Sequence, residues 1–234
     1  MKHLFRSSIA LLITSFLLCG CNEKPTDIYH YSDSIKVSKV RQIPNDFIFG
    51  LDLSSVISLE KSGVKFFNFD NEEEDIFSVV KKCGTTHIRV RLWNNPSSDL
   101  GIYGGGNSDI NTCVEIAKRC NAVGLKLIVD FHYSDFWADP GKQKAPKAWQ
   151  EMGINEKVNA LKTYTLESLN ALKSINTDVS VIQMGNEINS GLSGETSYEN
   201  IARLLSASYD AIKEVYPNSL TAVHYTDPQN KDGF

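Results

Sequence analysis

Five apolar runs that suit β-strands recur along the chain from Phe47 onward. Each is rich in aliphatic, β-branched or aromatic residues, and polar or small residues lie at or just beyond its end, which is typical of buried strands. The pattern predicts strands over residues 47–53, 86–92, 125–131, 179–185 and 220–225.

Helix signals occupy the stretches between these runs. Ser108 or Asp109 can cap a helix that runs to Ala122, with Gly124 as its stop, and Pro217 closes a later one. The acidic run at 72–75 suits the positive end of a helix dipole, or simply a solvated helix start. The predicted helices cover residues 72–82, 109–122, 155–174 and 197–216.

Strands that alternate with helices predict a parallel sheet with right-handed crossovers, hence an α/β fold. No GxGxxG follows the first strand, and Gly104-Gly105-Gly106 lacks the GK[ST] ending of a P-loop, so we interpret it as a flexible loop. Polar residues instead gather where strands end. A (β/α)8 barrel places its active site at that edge, and we predict this architecture.

Composition adds little beyond excluding some classes. The chain has 234 residues, 41% hydrophobic and 22% charged, with a net charge of −4, so a fully disordered chain is excluded. The slightly acidic balance disfavours a broad nucleic-acid-binding surface, and no nucleic-acid partner is predicted. Beyond the N-terminus, no segment approaches the 18 apolar residues of a membrane span.

The N-terminus resembles a bacterial lipoprotein signal. Lys2 and Arg6 precede an apolar run at 9–18, which ends in Leu18-Cys19-Gly20-Cys21. We predict a signal peptide at 1–20, lipidation of Cys21, a polar tether at 21–45 and a barrel domain at 46–234. The protein would then be exported and held on a membrane by its lipid. An ordinary secretory signal is the alternative. The remaining cysteines, Cys83, Cys113 and Cys120, form no disulfide framework and are expected to be buried free thiols, although Cys113 and Cys120 lie seven apart on a predicted helix and could touch.

The strongest candidate site is Asn186-Glu187, directly after the fourth strand. A carboxyl group shielded there would have a raised pKa, as a general acid needs near neutral pH. Asn186 can bind a sugar hydroxyl beside it. Alternatively, Glu187 begins a loop and forms a salt bridge with an arginine of the second strand. On that strand Arg89 and Arg91 share one face, and they would need carboxylate partners such as Glu187 or Asp52.

Residues 130–140 (DFHYSDFWADP) form a second candidate site. Their aromatic rings can stack on sugars, and His and Asp side chains can bind hydroxyl groups. Packing of the rings over the barrel rim is the simpler interpretation. A metal site at His132 and Asp135 lacks the spacing of a zinc site, so no metal or other cofactor is predicted.

Several stretches together resemble glycoside hydrolase family 53, the arabinogalactan endo-β-1,4-galactanases. They are FGLDLSSVISLEKSGVKF, HIRVRLWNNP, LKLIVDFHYSDFWADPGKQKAPKAW, IQMGNEINSGL, NIARLL and AVHY. The resemblance implies a (β/α)8 barrel and endo-acting, retaining hydrolysis of β-1,4-galactan or arabinogalactan, with two carboxyl groups. It implies that Glu187 is the acid/base, that Asn186 contacts the 2-hydroxyl and that Arg89 lies under the nucleophile. The other implied substrate-binding residues are Asp52, Arg91, Trp93, His132, Trp137 and His224.

The family's nucleophile is a Glu at the end of strand seven, whereas five β/α units are counted here before Phe234. We therefore expect the nucleophile beyond residue 234, in a barrel that is incomplete at its C-terminus. Glu195, Glu199 and Asp227 offer no convincing replacement. The alternative function is a catalytically inactive glycan-binding lipoprotein fragment.

Overall fold

The computed structural model describes residues 42–96, 108–227 and 229. The predicted signal peptide, Cys21 and most of the tether lie outside these residues, as does the predicted Gly104–Gly106 loop. The chain divides into two units, Met1–Asn45 and Asp46–Phe234. All the helices and strands in the described ranges belong to the second unit.

Five parallel strands form one sheet, and their order in space is their order in the chain. Each strand pairs with the next through a helical crossover, so the predicted parallel α/β arrangement is confirmed. The strands are β1 (Gly50–Asp52), β2 (His87–Leu92), β3 (Lys126–Phe131), β4 (Val179–Met184) and β5 (Leu220–Ala222).

The four predicted helices are present, and the described residues add one short α-helix and two three-residue 3-10 helices that the pattern did not predict. The helices are α1 (Val56–Lys61), α2 (Ile76–Lys82), α3 (Ile110–Val123), α4 (Ile154–Ser174) and α5 (Tyr198–Val215). The predicted start of α2 at residue 72 is wrong. Glu73 forms an isolated antiparallel bridge with Phe67, and Asp75 is the N-cap, with its carboxylate accepting from the Phe77 amide.

Helix α3 begins and ends as its sequence predicts. The Asp109 side chain accepts a hydrogen bond from the Thr112 amide, and Gly124 ends the helix in the left-handed conformation at φ 66°. Cys113 and Cys120 on this helix are buried free thiols, as predicted, and burial raises the pKa of both to about 12. They contribute to the core rather than to reactive chemistry. Cys83 is also a free thiol but is exposed, so the predicted burial is wrong for that residue.

Alternation along the strands separates an apolar face of the sheet from a polar one. In β2, Ile88, Val90 and Leu92 are fully buried in the core shared with the helices. Arg89 and Arg91, between them, point to the opposite face, as do Asp130 of β3 and Gln183 of β4 by the same alternation. The sheet therefore places charged and amide side chains together near its carboxyl edge.

Candidate active site

The carboxyl edge of the sheet brings together the residues that the sequence singled out. Asp52 is the last residue of β1, and His132 directly follows β3. Asn186 and Glu187 come after β4, with Gly185 between the strand and Asn186, and His224 lies just beyond β5. These positions are spread along the chain from residue 52 to residue 224, and parallel pairing places them side by side. The edge is the place where (β/α)8 enzymes carry their active sites.

Arg89 links two carboxylates across the first three strands. Its Nη1 lies 2.5 Å from Oδ2 of Asp52, and its Nη2 lies 2.5 Å from Oδ2 of Asp130. Asp52 and Glu187 were the predicted partners of the arginines in β2, and Asp52 is found paired with Arg89. Glu187 forms no ion pair among the described residues, and Asp130 takes that place.

Asp130 is the centre of this network; the sequence placed it in the second candidate site, but its pairing with Arg89 was not predicted. The residue is fully buried, and its Oδ2 accepts from both Arg89 and His132 Nε2, the latter at 3.0 Å. Its Oδ1 accepts from Gln183 Nε2 at 2.6 Å. The available signal was an acid within an apolar strand, because a buried carboxylate needs several hydrogen-bond donors.

Asp52 carries a lowered pKa despite partial enclosure. Burial alone would raise the pKa, but the Ser54 hydroxyl, the Arg91 charge, the Ser54 amide and the Arg89 charge together lower it. The Ser54 hydroxyl donates to Asp52 Oδ1 at 2.6 Å and accepts from the Arg91 amide at 2.9 Å. Asp52 is thus held as an anion beside Arg89.

His132 is enclosed and has no ring nitrogen left for a metal. Its Nδ1 accepts from the Ala138 amide at 3.0 Å, which leaves Nε2 as the donor to Asp130. The carboxylate of Asp135 is also occupied by hydrogen bonds, since its two oxygens accept from the backbone N–H groups of Asn95 and Lys147. Both side chains therefore organise the loop after β3, which disfavours the metal-site alternative.

The aromatic rings divide into a buried support and an exposed surface. Trp93 has no exposed area and meets Trp137 edge-on, with ring centroids 5.6 Å apart. Trp137 is 37% exposed, and the Arg91 guanidinium lies 4.2 Å from its ring centroid. Trp137 can therefore offer ring surface to a sugar, whereas Trp93 and His132 lie beneath it. Direct substrate contacts of these residues stay predictions.

Asn186 is 5% exposed, and its side chain is hydrogen-bonded to residues of β2, β4 and the segment after β5. Its amide nitrogen donates to the Ala138 carbonyl at 2.7 Å. Its oxygen accepts from Arg89 and Gln183, and it lies 3.0 Å from His224 Nδ1, which must then carry the proton. The predicted contact of Asn186 with a sugar 2-hydroxyl stays a prediction.

Glu187 follows in the left-handed conformation, at φ 51° and ψ 50°. Its side chain is half-buried, and within the described ranges its carboxylate forms no hydrogen bond or ion pair. The alternative of a salt bridge from Glu187 to a strand-two arginine is therefore not found there. A carboxyl group in this position is available to exchange a proton with a bound molecule.

Gly185 makes the sharp exit from β4 possible. Its φ is +86°, and an added Cβ would lie 2.5 Å from Ile188 Cγ2 and 2.9 Å from Leu192 Cδ1. We expect Gly185→Ala to lower the free energy of unfolding by about 2–4 kcal/mol, through backbone strain plus overpacking. Gly84→Ala is the matched control in urea unfolding, because Gly84 has φ +91° and open space around it, so only about 1–2 kcal/mol is expected. Equal losses would contradict the steric explanation.

Glu195 and Glu199, the acids that follow Glu187 in the chain, lie outside the network around Arg89. Glu195 pairs with Lys157 at 2.5 Å and accepts from Asn200 at 2.7 Å. The hydrogen bond from Lys157 is the main reason that the pKa of Glu195 is lowered. Glu199 is exposed in the first turn of α5. Neither carboxylate is placed in the Arg89 network.

Comparison with known proteins gives consistent matches. The family model "Glycosyl hydrolase family 53" matches residues 48–234. An endo-beta-1,4-galactanase of Bacillus subtilis is 43% identical over 199 residues, covering 85% of this chain and 46% of the relative. An arabinogalactan endo-beta-1,4-galactanase of Humicola insolens is 34% identical, covering 78% of this chain and 54% of the relative. The chain spans about half the length of these curated relatives.

Solved structures give the same result at the level of the fold. The Ignisphaera aggregans GH53 catalytic domain superposes with a TM-score of 0.77 at 35% identity, covering 82% of this chain and 54% of that one. A structure from a study of two fungal beta-1,4-galactanases gives 0.72 at 32% identity, covering 79% and 55%. The predicted (β/α) barrel architecture is confirmed, with five strands and the four helical crossovers between them described here. The chain belongs to glycosyl hydrolase family 53.

Proposed function

We propose that this protein is an endo-acting, retaining β-1,4-galactanase, with Glu187 as the acid/base. One observation carries the proposal: a half-buried glutamate, whose carboxylate has no partner in the part of the chain that the structure describes, follows the hydrogen-bonded Asn186 at the carboxyl edge of the sheet. Relatives named as endo-beta-1,4-galactanases match most of the chain, which supports β-1,4-galactan and arabinogalactan as substrates.

Retaining hydrolysis needs a proton donor and a second carboxylate as nucleophile, about 5–5.5 Å apart. Glu187 would protonate the glycosidic oxygen as the bond breaks and then deprotonate the attacking water. Asp130 is fully buried and accepts from three side chains, and each oxygen of Asp52 already accepts from Ser54 or Arg89, so neither has an oxygen free to attack a sugar. The family resemblance implies a nucleophilic glutamate beyond residue 234. Arg89 would lie beneath that group, and Trp137 would support a sugar ring.

Release of reducing ends tests this function. The product of the complete reading frame and the 234-residue chain are incubated with β-1,4-galactan, cellulose and β-1,4-mannan. We expect reducing ends from galactan alone, and from the longer protein if the nucleophile lies beyond residue 234. Retarded migration in a galactan-containing gel without cleavage by either protein would instead support the alternative, a glycan-binding lipoprotein. Loss of cleavage with a chelator would point to a metal-dependent hydrolase.

We also propose that the protein is exported and anchored to a membrane by a lipid on Cys21. The Leu18-Cys19-Gly20-Cys21 sequence after an apolar run supports this. No helix in the described part of the chain is long and apolar enough to cross a bilayer. Labelling of cells with a radioactive fatty acid should mark the wild-type protein and leave Cys21→Ala unmarked. Equal labelling of both would refute the assignment.

A further inference from the structure

One side chain from the loop after β3 holds the backbone of the candidate acid/base. The Gln143 amide nitrogen lies 2.8 Å from the Asn186 carbonyl oxygen and 3.0 Å from that of Glu187. It also lies 3.1 Å from the carbonyl oxygen of Asp139 in its own loop. Two N–H groups are thus shared among three carbonyl acceptors, two of which belong to the Asn186-Glu187 pair.

The contact is placed where the backbone most needs support. Glu187 adopts the left-handed conformation, which is strained for a residue with a Cβ and persists only when surrounding contacts fix it. The loop after β3 supplies several such contacts to the loop after β4. Besides Gln143, the Ala138 carbonyl accepts from Asn186 and the Pro140 carbonyl accepts from Ser190. The Gln143 carbonyl accepts from the Gly194 amide at 2.5 Å.

The amide of Gln143 can take only one orientation here. Three carbonyl oxygens surround Nε2, so a flipped amide would bring its own oxygen against them. In the observed orientation Oε1 is buried and has no hydrogen-bond partner among the described residues. An unsatisfied buried acceptor is costly, and the donated bonds are what offset it. These contacts are a specific arrangement rather than general loop packing.

We propose that Gln143 is a positioning residue that fixes the Glu187 carboxyl group by holding the peptide groups on either side of its Cα. The inference rests on the proposed function of Glu187 as acid/base. The donor bonds set the direction in which the Glu187 side chain leaves the backbone, and hence the distance from its carboxyl to the glycosidic oxygen. A small displacement of a catalytic group is enough to slow its step.

Gln143→Met tests the proposal, because methionine keeps the length of the side chain but donates no hydrogen bond. Gln150→Met is the matched control in the same loop: Gln150 is exposed and donates at 3.3 Å to the Ala145 carbonyl. Both variants are made in the product of the complete reading frame. Hydrogen–deuterium exchange is measured over residues 186–194, and kinetics are measured on galactan and on a dinitrophenyl β-1,4-galactobioside.

For Gln143→Met we expect faster exchange over 186–194, with α4 and α5 unchanged. We expect kcat on galactan to fall about 10- to 10²-fold while KM stays within about twofold. kcat/KM for the dinitrophenyl substrate should stay near wild type, because it reports formation of the glycosyl intermediate, in which that leaving group departs without a proton. A merely structural defect would lower this kcat/KM together with kcat on galactan, and that result, or unchanged exchange, would overturn the proposal. If wild type cleaves neither substrate, the galactanase function fails, and the exchange data decide the positioning claim alone.

Discussion

Asp130→Ala is expected to lower the free energy of unfolding by about 3–5 kcal/mol, as for removal of one partner from a buried ion pair. Asp130 is fully buried and is the shared acceptor for Arg89, His132 and Gln183. Alanine would leave these donors unsatisfied at the centre of the site. Urea unfolding, followed by far-UV circular dichroism, gives the change in stability.

Asp178→Ala is the matched control for Asp130→Ala. Asp178 also pairs with a cation, Lys126, but at 3.7 Å and with its side chain 62% exposed. An exposed pair of this kind contributes about 0–1 kcal/mol. Similar losses in the two variants would mean that the Asp130 network contributes no more to stability than a surface contact, contrary to the structure.

Glu187→Gln is expected to slow galactan hydrolysis by about 10²–10⁴-fold, the usual contribution of a general acid–base group. The amide keeps the shape of the side chain but has no acidic proton to deliver to the leaving oxygen. KM should change far less than kcat, because the lost interaction acts in the transition state. The measurement is reducing-end release by the product of the complete reading frame.

Glu199→Gln makes the same chemical change nearby, on the exposed first turn of α5, and should leave the rate within about twofold of wild type. A Glu187→Gln variant as active as the Glu199→Gln control would show that Glu187 is not the acid/base. The folded fraction of both variants is checked by circular dichroism.

The strands and longer helices were predictable because their signals are local. Apolar runs identified β2, β3 and β4, and Asp109 with Gly124 identified the ends of α3. Helix α1 was missed because it has only six residues and no side-chain cap, so no periodic stripe develops. The acidic run at 72–74 suggested a helix start, but Asp75 supplies the cap instead.

The site was predictable where a residue ends a strand and unpredictable where its role depends on a distant partner. Asp52, Glu187 and His224 follow from the rule that the carboxyl ends of parallel strands meet. The roles of Asp130 and Gln143 were not predicted, because their contacts join residues 41 and 43 positions apart. Asp130 reaches across from β3 to β2, and Gln143 reaches from one loop to another. The sequence assigned Trp93 and Trp137 the same role in substrate binding, but only Trp137 is exposed in the structure and Trp93 is fully buried.

The role of Glu187 is tested most directly by azide rescue of the Glu187→Ala variant on dinitrophenyl β-1,4-galactobioside. With the leaving group needing no acid, the galactosyl intermediate forms but waits for a base to activate water. Removal of the Glu187 charge lets azide enter on the vacated face. We expect azide to restore turnover and to yield the β-galactosyl azide, seen by NMR. An α-galactosyl azide would identify Glu187 as the nucleophile instead, and no rescue would contradict its assignment as acid/base.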